Sequence, residues 1–459
     1  MHTFGSSKAD PSQSMAMELE IRMLSGRYVR LSVSPAAQVH ELTQAAQEHF
    51  RVGFLSLTSS EGLLLNPCSA IHEVVQPGDI LCATARPYEV VSSRWMGKAF
   101  AVFLLNGPAV TWGDPRFGGD CRRVKDRLRQ VQQIEASYGA FAAIGADGSA
   151  LTWGDTRFGG DSSQVQDQLT QVKQIRASYG AFAALLADGS VVTWGNPRTG
   201  GDSSSVQHLL RGVQRIEASG SAFAGILWDG SVVTWGDQRG GGNSSAVASE
   251  LRQVCGIQAS YGAFAALFSD GRVVTWGGAD FGGQSGHVQH QLRDVYAVEA
   301  SESAFAALKR DGSVVTWGAP EHGGDSQGVQ GELRGIAKIA GSGAAFCAVR
   351  ADGSVVTWGD PRFGGEVPPE VQHRLQNVQQ VRGSFGHFAA LLADGSVVTW
   401  GDPDFGDAQH VQPLQDVRHL HASSAAFVAV KGDGQVVAWG HPQKGGTISA
   451  AVQAQLRQL

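Results

Sequence analysis

The sequence predicts a mainly β protein. Tandem units of about 41 residues, each three-stranded, form a stacked repeat array, preceded by a β-grasp module. Three observations carry this reading. Trp-Gly recurs at Trp112, Trp153, Trp194, Trp235, Trp276, Trp317, Trp358, Trp400 and Trp439, with six of the eight intervals 41 residues long, one 42 and one 39. An Asn-Gly or Asp-Gly pair precedes each of these tryptophans, as in Asp188-Gly189 before Trp194. A phenylalanine stands twelve residues before every tryptophan, from Phe100 to Phe427.

The third unit shows how each element follows. Phe182 to Leu186 and Ser190 to Trp194 are apolar runs joined through Asp188-Gly189, the strongest short-range hairpin signal, here expected as a type I′ turn. Closing that hairpin places Phe182 and Trp194 on neighbouring strands. Gln174 to Ser178 makes a third, preceding strand. Upstream, Val165, Leu169 and Val172 fall at i, i+4 and i+7 after Asp161-Ser162-Ser163, which reads as a short helix with an Asp or Ser N-cap. The glycine-rich stretch after each Trp-Gly is an exposed loop. A single unit cannot bury a Trp and a Phe, whereas stacked units share a core. Each buried Trp is worth roughly 4 to 6 kcal/mol gross, so the nine tryptophans read as structural core.

Composition narrows the function. The chain of 459 residues is 42% hydrophobic, carries a formal charge of −6 and holds 60 glycines, which suits a chain that turns every few residues. The acidic balance argues against a nucleic-acid partner, which calls for a basic stripe. Five scattered cysteines without a C-x-x-C pair fit reduced thiols inside a cell, and Cys347 reads as core packing. The sequence contains neither a signal-peptide pattern nor a run of about 18 apolar residues, so no membrane association is expected. The expected compartment is the cytoplasm, with the nucleus as the alternative.

The run Arg176 to Gly195, RASYGAFAALLADGSVVTWG, and the loop WGDPRFGG from Trp112 to Gly119 resemble the repeats of the regulator of chromosome condensation family. The resemblance covers nearly all of 88 to 459 and implies a β-propeller. Family members usually have seven longer, four-stranded blades, whereas nine short units here are closer to bacterial β-lactamase-inhibitor propellers with three-stranded blades. Nine units can close as a ring or remain an open stack. The chain stops after Val452 to Leu456, a match to the connector without its following strand, and Tyr88 to Ser92 offers such a strand at the other end.

Residues 1 to 16 are Ser-rich and polar and read as a disordered tail. Residues 17 to 87 follow the order β-β-α-β-β of a β-grasp, and Met17, Ile21, Leu24, Gly26, Leu31, Val33 and Pro35 resemble ubiquitin's opening stretch. No terminal Gly-Gly is present, since the module runs into the repeats, so conjugation is not implied. Ser56 falls at the centre of ubiquitin's usual apolar interaction patch, which implies a retained fold with a changed surface. Residues 88 to 459 make up the nine-unit repeat domain.

Chemical motifs are few. Gly324-Asp325-Ser326-Gln327-Gly328 matches G-x-S-x-G but is one copy of a loop that other units write as GGDSS, not a nucleophile elbow. His287, His290, His419 and His421 lack partners for a tetrahedral metal site and read as solvent-facing. Asp402, Asp404 and Asp407 lack the Gly and Glu of a calcium loop. No catalytic residue, cofactor or metal is expected. The candidate binding surface is the loop after Trp-Gly. Arg116, Arg157, Arg198, Arg239 and Arg362 share one register position there, and Phe117, Phe158, Phe281, Phe363 and Phe405 share the next. These residues either form an interface rim or pack as filler over their own loops. The opposite rim, with Trp228, Lys309 and Lys431, is the rival surface. The function expected is a non-enzymatic scaffold or adaptor that binds protein partners, in ubiquitin-linked processes. The family resemblance also implies two alternatives: an exchange factor for a small GTPase, or a non-catalytic component of a HERC-type ubiquitin ligase.

Overall fold

A computed structural model describes residues 16–23, 27–50, 54–59, 65, 70–76, 78–86, 88–92, 97–406, 413–433 and 435–456. The tail expected at 1 to 16 lies almost wholly outside them, as do the side chain of Ser56 and residue Asp407. The chain divides into two compact units, Met1–Pro87 and Tyr88–Leu459.

In the first unit, β1 (Met17–Met23), β2 (Tyr28–Val33), α1 (Val39–Phe50), β3 (Phe54–Thr58), α2 (Ile71–Val74) and β4 (Ile80–Arg86) build one four-stranded sheet of order β2-β1-β4-β3. The strands β1 and β4 run parallel at its centre, and β2 and β3 flank them antiparallel. This is a β-grasp topology. Alternation in β1 sends Leu19 and Ile21 inward to meet Val39, Leu42 and Ala46 of α1, so the strand period of two and the helix period of 3.6 share one core.

The second unit consists of nine antiparallel sheets of three strands in tandem. In the third sheet Val172–Ala177 pairs with Ala181–Leu186, which pairs with Val191–Gly195, and Phe182 stands opposite Trp194. The Phe and Trp rings stack in all nine units at centroid distances of 5.2–5.4 Å. These nine tryptophans are 0–5% exposed. Cores form between units rather than within them: Trp235 and Phe223 of the fourth unit lie among Ala181, Ala183 and Leu185 of the third. Cys347 sits in such a core, where burial pushes its thiol above the ordinary range.

Two local expectations are corrected. The Asp-Gly turns are not type I′, because the Asp keeps a negative φ and only the Gly is left-handed, as at Gly189 (φ 80°). Leu186 accepts from Gly189 N–H and donates to Ser190, giving a type I turn with a glycine bulge, and Asp188 fixes it by accepting from the Ser190 N–H and hydroxyl. The connector is also not a capped α-helix. It is a single 3₁₀ turn, Gln166–Gln168, without a side-chain cap, and Val172 already belongs to the next strand. Asp161 spends its carboxylate on the Ser163 N–H, and Ser162 bonds Thr152 and Gln166 instead.

The array closes into a ring. In eight of the nine units the Trp Nε1 donates to the glycine carbonyl of the preceding unit's post-Trp loop, as from Trp153 to Gly118 (3.0 Å) and from Trp235 to Gly200 (3.1 Å). Trp112 of the first unit donates in the same way to Gly445 of the ninth (3.0 Å). Phe100, Val102 and Trp112 share a core with Ala426, Val428 and Leu456, the last from the terminal helix Ala450–Leu456.

First strands of neighbouring units lie against one another and therefore line the axis. The loops that follow them are linked by a chain of backbone bonds, Tyr138 N–H to Tyr179 C=O, then Tyr179 to Gly220, Tyr261, Glu302, Gly343, Phe385 and Ser424, each 2.7–3.1 Å. The Ser424 hydroxyl carries the chain to Gly97 in the first unit (3.3 Å). One joint departs from the pattern. His387 occupies a position that is alanine in the other eight units, its Nδ1 lies 2.9 Å from the Asp402 carbonyl, and Gly406 is not left-handed (φ 173°). Trp439 Nε1, whose acceptor Gly406 would supply, is buried without a partner among the described residues.

Candidate functional site

In each unit the first strand runs toward one face of the ring, the second returns and the third runs back. The post-Trp loops and the axial loops therefore share a face, and the Asp-Gly turns occupy the other.

Eight of the post-Trp loops are single 3₁₀ turns, and the fourth, Gln238–Gly242, is a wider π-type turn. In the first, Asp114 caps Arg116 N–H and Gly118 ends the turn at φ 89°, where a Cβ would stand 2.5 Å from the Phe141 ring of the next unit. The sequence-predicted arginines fall into two groups. Arg116, Arg157 and Arg362 each fold back onto Asp114, Asp155 and Asp360 two residues earlier, with N–O distances of 2.6–2.8 Å, and lie over Phe117, Phe158 and Phe363. Their guanidinium groups hold these three carboxyls below the usual range. For these three, packing over the own loop describes the observed contacts. Arg198 follows an asparagine and bonds it only through its backbone. Beside Arg239, the Asp237 carboxylate is engaged by Gly240 N–H. Asp280, Glu321 and Asp404 replace arginine in the fifth, sixth and eighth units, so the charge of the face is polarised around the ring.

The phenylalanines do come together, through residues that sequence reasoning passed over. Tyr138 touches Phe117 (5.3 Å), Phe158 (5.0 Å) and Tyr179 (4.7 Å), and Tyr179 touches Phe158 (5.5 Å). Phe385 links Phe363 and Phe405 at 5.2 and 5.3 Å, and Tyr261 meets Phe281 at 5.7 Å. All these rings are half-buried. The signal was present in the one residue after the strand-ending serine, which reads Tyr, Tyr, Gly, Tyr, Glu, Gly, Phe, Ser from the second unit to the ninth.

Polar side chains line the axis. Gln133 donates to the Ile175 carbonyl and accepts its N–H (2.9 and 3.0 Å), supplying the open strand edge with the pairing a fourth strand would give. Arg176 stands between Glu135 (3.8 Å) and Glu217 (3.3 Å), and Arg215 also holds Glu217 (2.6 Å). His419 and His421, expected in solvent, are half-buried on an axial strand, whereas His287 and His290 are exposed. Glu302 at the mouth and Glu299 below it are desolvated, which raises both carboxyls to about 7, with Arg382 opposing the rise at Glu299. A carboxyl raised by folding stabilises the protein below the unfolded value of about 4.5, and that contribution is lost as pH rises through about 7. Glu302→Gln is therefore expected to be neutral near pH 4 and stabilising at pH 8. A melting shift equal at both pH values would contradict this assignment.

On the opposite face Trp228 is 73% exposed and Leu209 47%. Lys309 lies 3.8 Å from Asp311, and Lys431 bonds Gln435. The Ser326 hydroxyl is buried between Thr316 and Gln330, with no histidine among its bonded partners. Among the described residues no group of three His, Cys, Asp or Glu side chains could hold a metal ion, and no helix is long and apolar enough to cross a membrane.

No family model and no curated protein matches the chain. Solved structures that it is similar to include the CRINKLY WD40 ectodomain of the Arabidopsis thaliana receptor kinase ACR4, at 16% identity over 68% of this chain and 97% of that one (TM-score 0.35). Prp20p from Saccharomyces cerevisiae aligns at 14% identity over 73% of this chain and 87% of its own (TM-score 0.37). A computationally designed protein based on ubiquitin aligns at 27% identity over 16% of this chain and 89% of its own (TM-score 0.15). The sheets and joints themselves define a β-propeller-like repeat protein. Tandem three-stranded sheets of this kind fit the regulator-of-chromosome-condensation-like repeat that the sequence resembles.

Proposed function

We propose that the ring is a non-catalytic scaffold that captures a protein partner on its aromatic face. The observation that carries this reading is the unbroken contact chain Phe117, Tyr138, Phe158 and Tyr179, four half-exposed rings held on rigid turns beside Arg198. Tyrosine and arginine anchors on a preorganised surface are what interface hot spots use. Among the described residues the post-Trp loops are short turns without an inserted wedge that could displace a nucleotide, which favours a scaffold over an exchange factor. The β-grasp unit is read as a second docking module, consistent with an adaptor in ubiquitin-linked processes.

The test is affinity capture with the full chain. Tyr138→Ala, Tyr179→Ala and Arg198→Ala combined are expected to abolish capture of the partner while the melting temperature stays close to that of the parent. Capture that survives this change but fails with Trp228→Ala, Lys309→Ala and Lys431→Ala would move the binding surface to the Asp-Gly face.

A further inference from the structure

In the second, third, fifth and sixth units, the outer strand is closed off by a side-chain latch from the connector. In the third unit the Thr193 and Ser203 hydroxyls lie 3.0 Å apart, Ser203 donates to Gln207 Oε1 (2.8 Å), and Gln207 Nε2 donates to the Val191 carbonyl (2.9 Å). The same chain runs through Thr152, Ser162 and Gln166, through Thr275, Ser285 and Gln289, and through Thr316, Ser326 and Gln330. The latch matters because the outer strand is a sheet edge, whose outward N–H and C=O groups are a template for another strand.

The seventh unit lacks the latch. Val367 stands where the second to sixth units have the serine, and the connector is one residue longer, with Pro368-Pro369 leading into the short helix Pro369–Gln372. Neither Thr357 nor Gln372 makes a bond of this chain. A groove of about 410 Å³ opens there, lined by Val329, Val355, Thr357, Val367 and Gln372 together with Glu332. Its floor includes the outer strand, Val355–Gly359. Ladder alternation fixes which backbone groups face it. Arg350 N–H donates to Ser354 C=O, so Val356 and Trp358 take the inward bonds, while Val355, Thr357 and Gly359 present theirs outward. In the first unit, where Cys121 and Lys125 replace the latch residues, the connector still covers the edge, because Ala109 N–H donates to the Leu128 carbonyl.

Charge identifies the occupant. Glu366 borders the groove and Glu370 follows on its connector; both are exposed, with no ion pair among the described contacts. On the other wall the Glu332 carboxylate is 64% exposed, 3.4 Å from Arg350. We propose that the outer edge of the seventh unit binds an extended peptide of alternating apolar and basic residues, which adds as a fourth strand beside Val355–Gly359. One side of such a strand sets apolar side chains against Val329 and Val367. The other sets its cations toward Glu332, Glu366 and Glu370.

Fluorescence anisotropy of the full chain with a labelled peptide of alternating valine and lysine tests this. The peptide is expected to bind, and Glu366→Lys with Glu370→Lys is expected to weaken it about tenfold or more. N-methylation of the peptide's edge-facing amides is expected to abolish binding, because it removes the backbone pairing without changing charge. No binding, equal binding of a valine-glutamate peptide, or equal binding of the N-methylated peptide would each overturn the proposal. The Tyr138→Ala, Tyr179→Ala and Arg198→Ala protein keeps this groove, so loss of partner capture there leaves peptide binding intact.

Discussion

Replacing Trp235 by alanine is expected to cost about 3 to 5 kcal/mol, because the side chain is 2% exposed and fills a core shared by two units. The deletion removes the ring stacked on Phe223 at 5.3 Å and leaves the Gly200 carbonyl without the indole N–H that it accepts. Neighbouring strands are held by their own ladders and cannot collapse onto the void. Calorimetry of the full chain would register this as a clear drop in melting temperature. An unchanged transition would mean that the tryptophans contribute little to the joints.

The second large effect concerns closure. Gly445 adopts φ 96°, and a Cβ there would overlap the Phe100 ring of the first unit. Gly445→Ala is expected to cost about 2 to 4 kcal/mol, combining left-handed strain with overpacking of a closed joint. Gly335→Ala supplies the control, since that glycine has a φ of 62° but nothing within 4 Å, and should cost only about 1 kcal/mol. The two variants separate the strain of the turn from the clash across the seam. Equal losses would show that the first and ninth units are not in contact.

The spacing of tryptophans and the Asp-Gly turns made the units legible, because one period repeated nine times leaves little freedom in strand order. Closure was legible only in its ends, the connector at Val452 to Leu456 and the strand at Tyr88 to Ser92, and not in the contact that makes it. It depends on Trp112 reaching Gly445, a contact 333 residues apart that no local pattern encodes. The turn type was misread because Asp-Gly serves both I′ hairpins and bulged type I turns, and the decision lies in Asp188 accepting from Ser190. On the candidate face, the Arg and Phe positions stood out because they repeat in register. Tyr138, Tyr179 and Phe385 did not, because their position varies from unit to unit, and only the ring brings them beside the phenylalanines. The edge groove was invisible for the opposite reason: its signal is the loss of a serine that looks like any other loop residue until the latch is seen.

Joining the ninth unit to the first changes how the molecule can come apart. An open stack of nine has eight joints and two ends, and an end unit leaves when one joint fails. The circle has nine joints and no end, so a unit is released only when both of its joints fail together. Fraying is thereby suppressed, and the array needs no capping repeat. Among the described residues the circle has its thinnest place between the eighth and ninth units, where His387 crowds the turn and the Trp439 indole goes without the carbonyl that the other joints supply. A break there would convert a ring into a stack with two new ends, each free to peel.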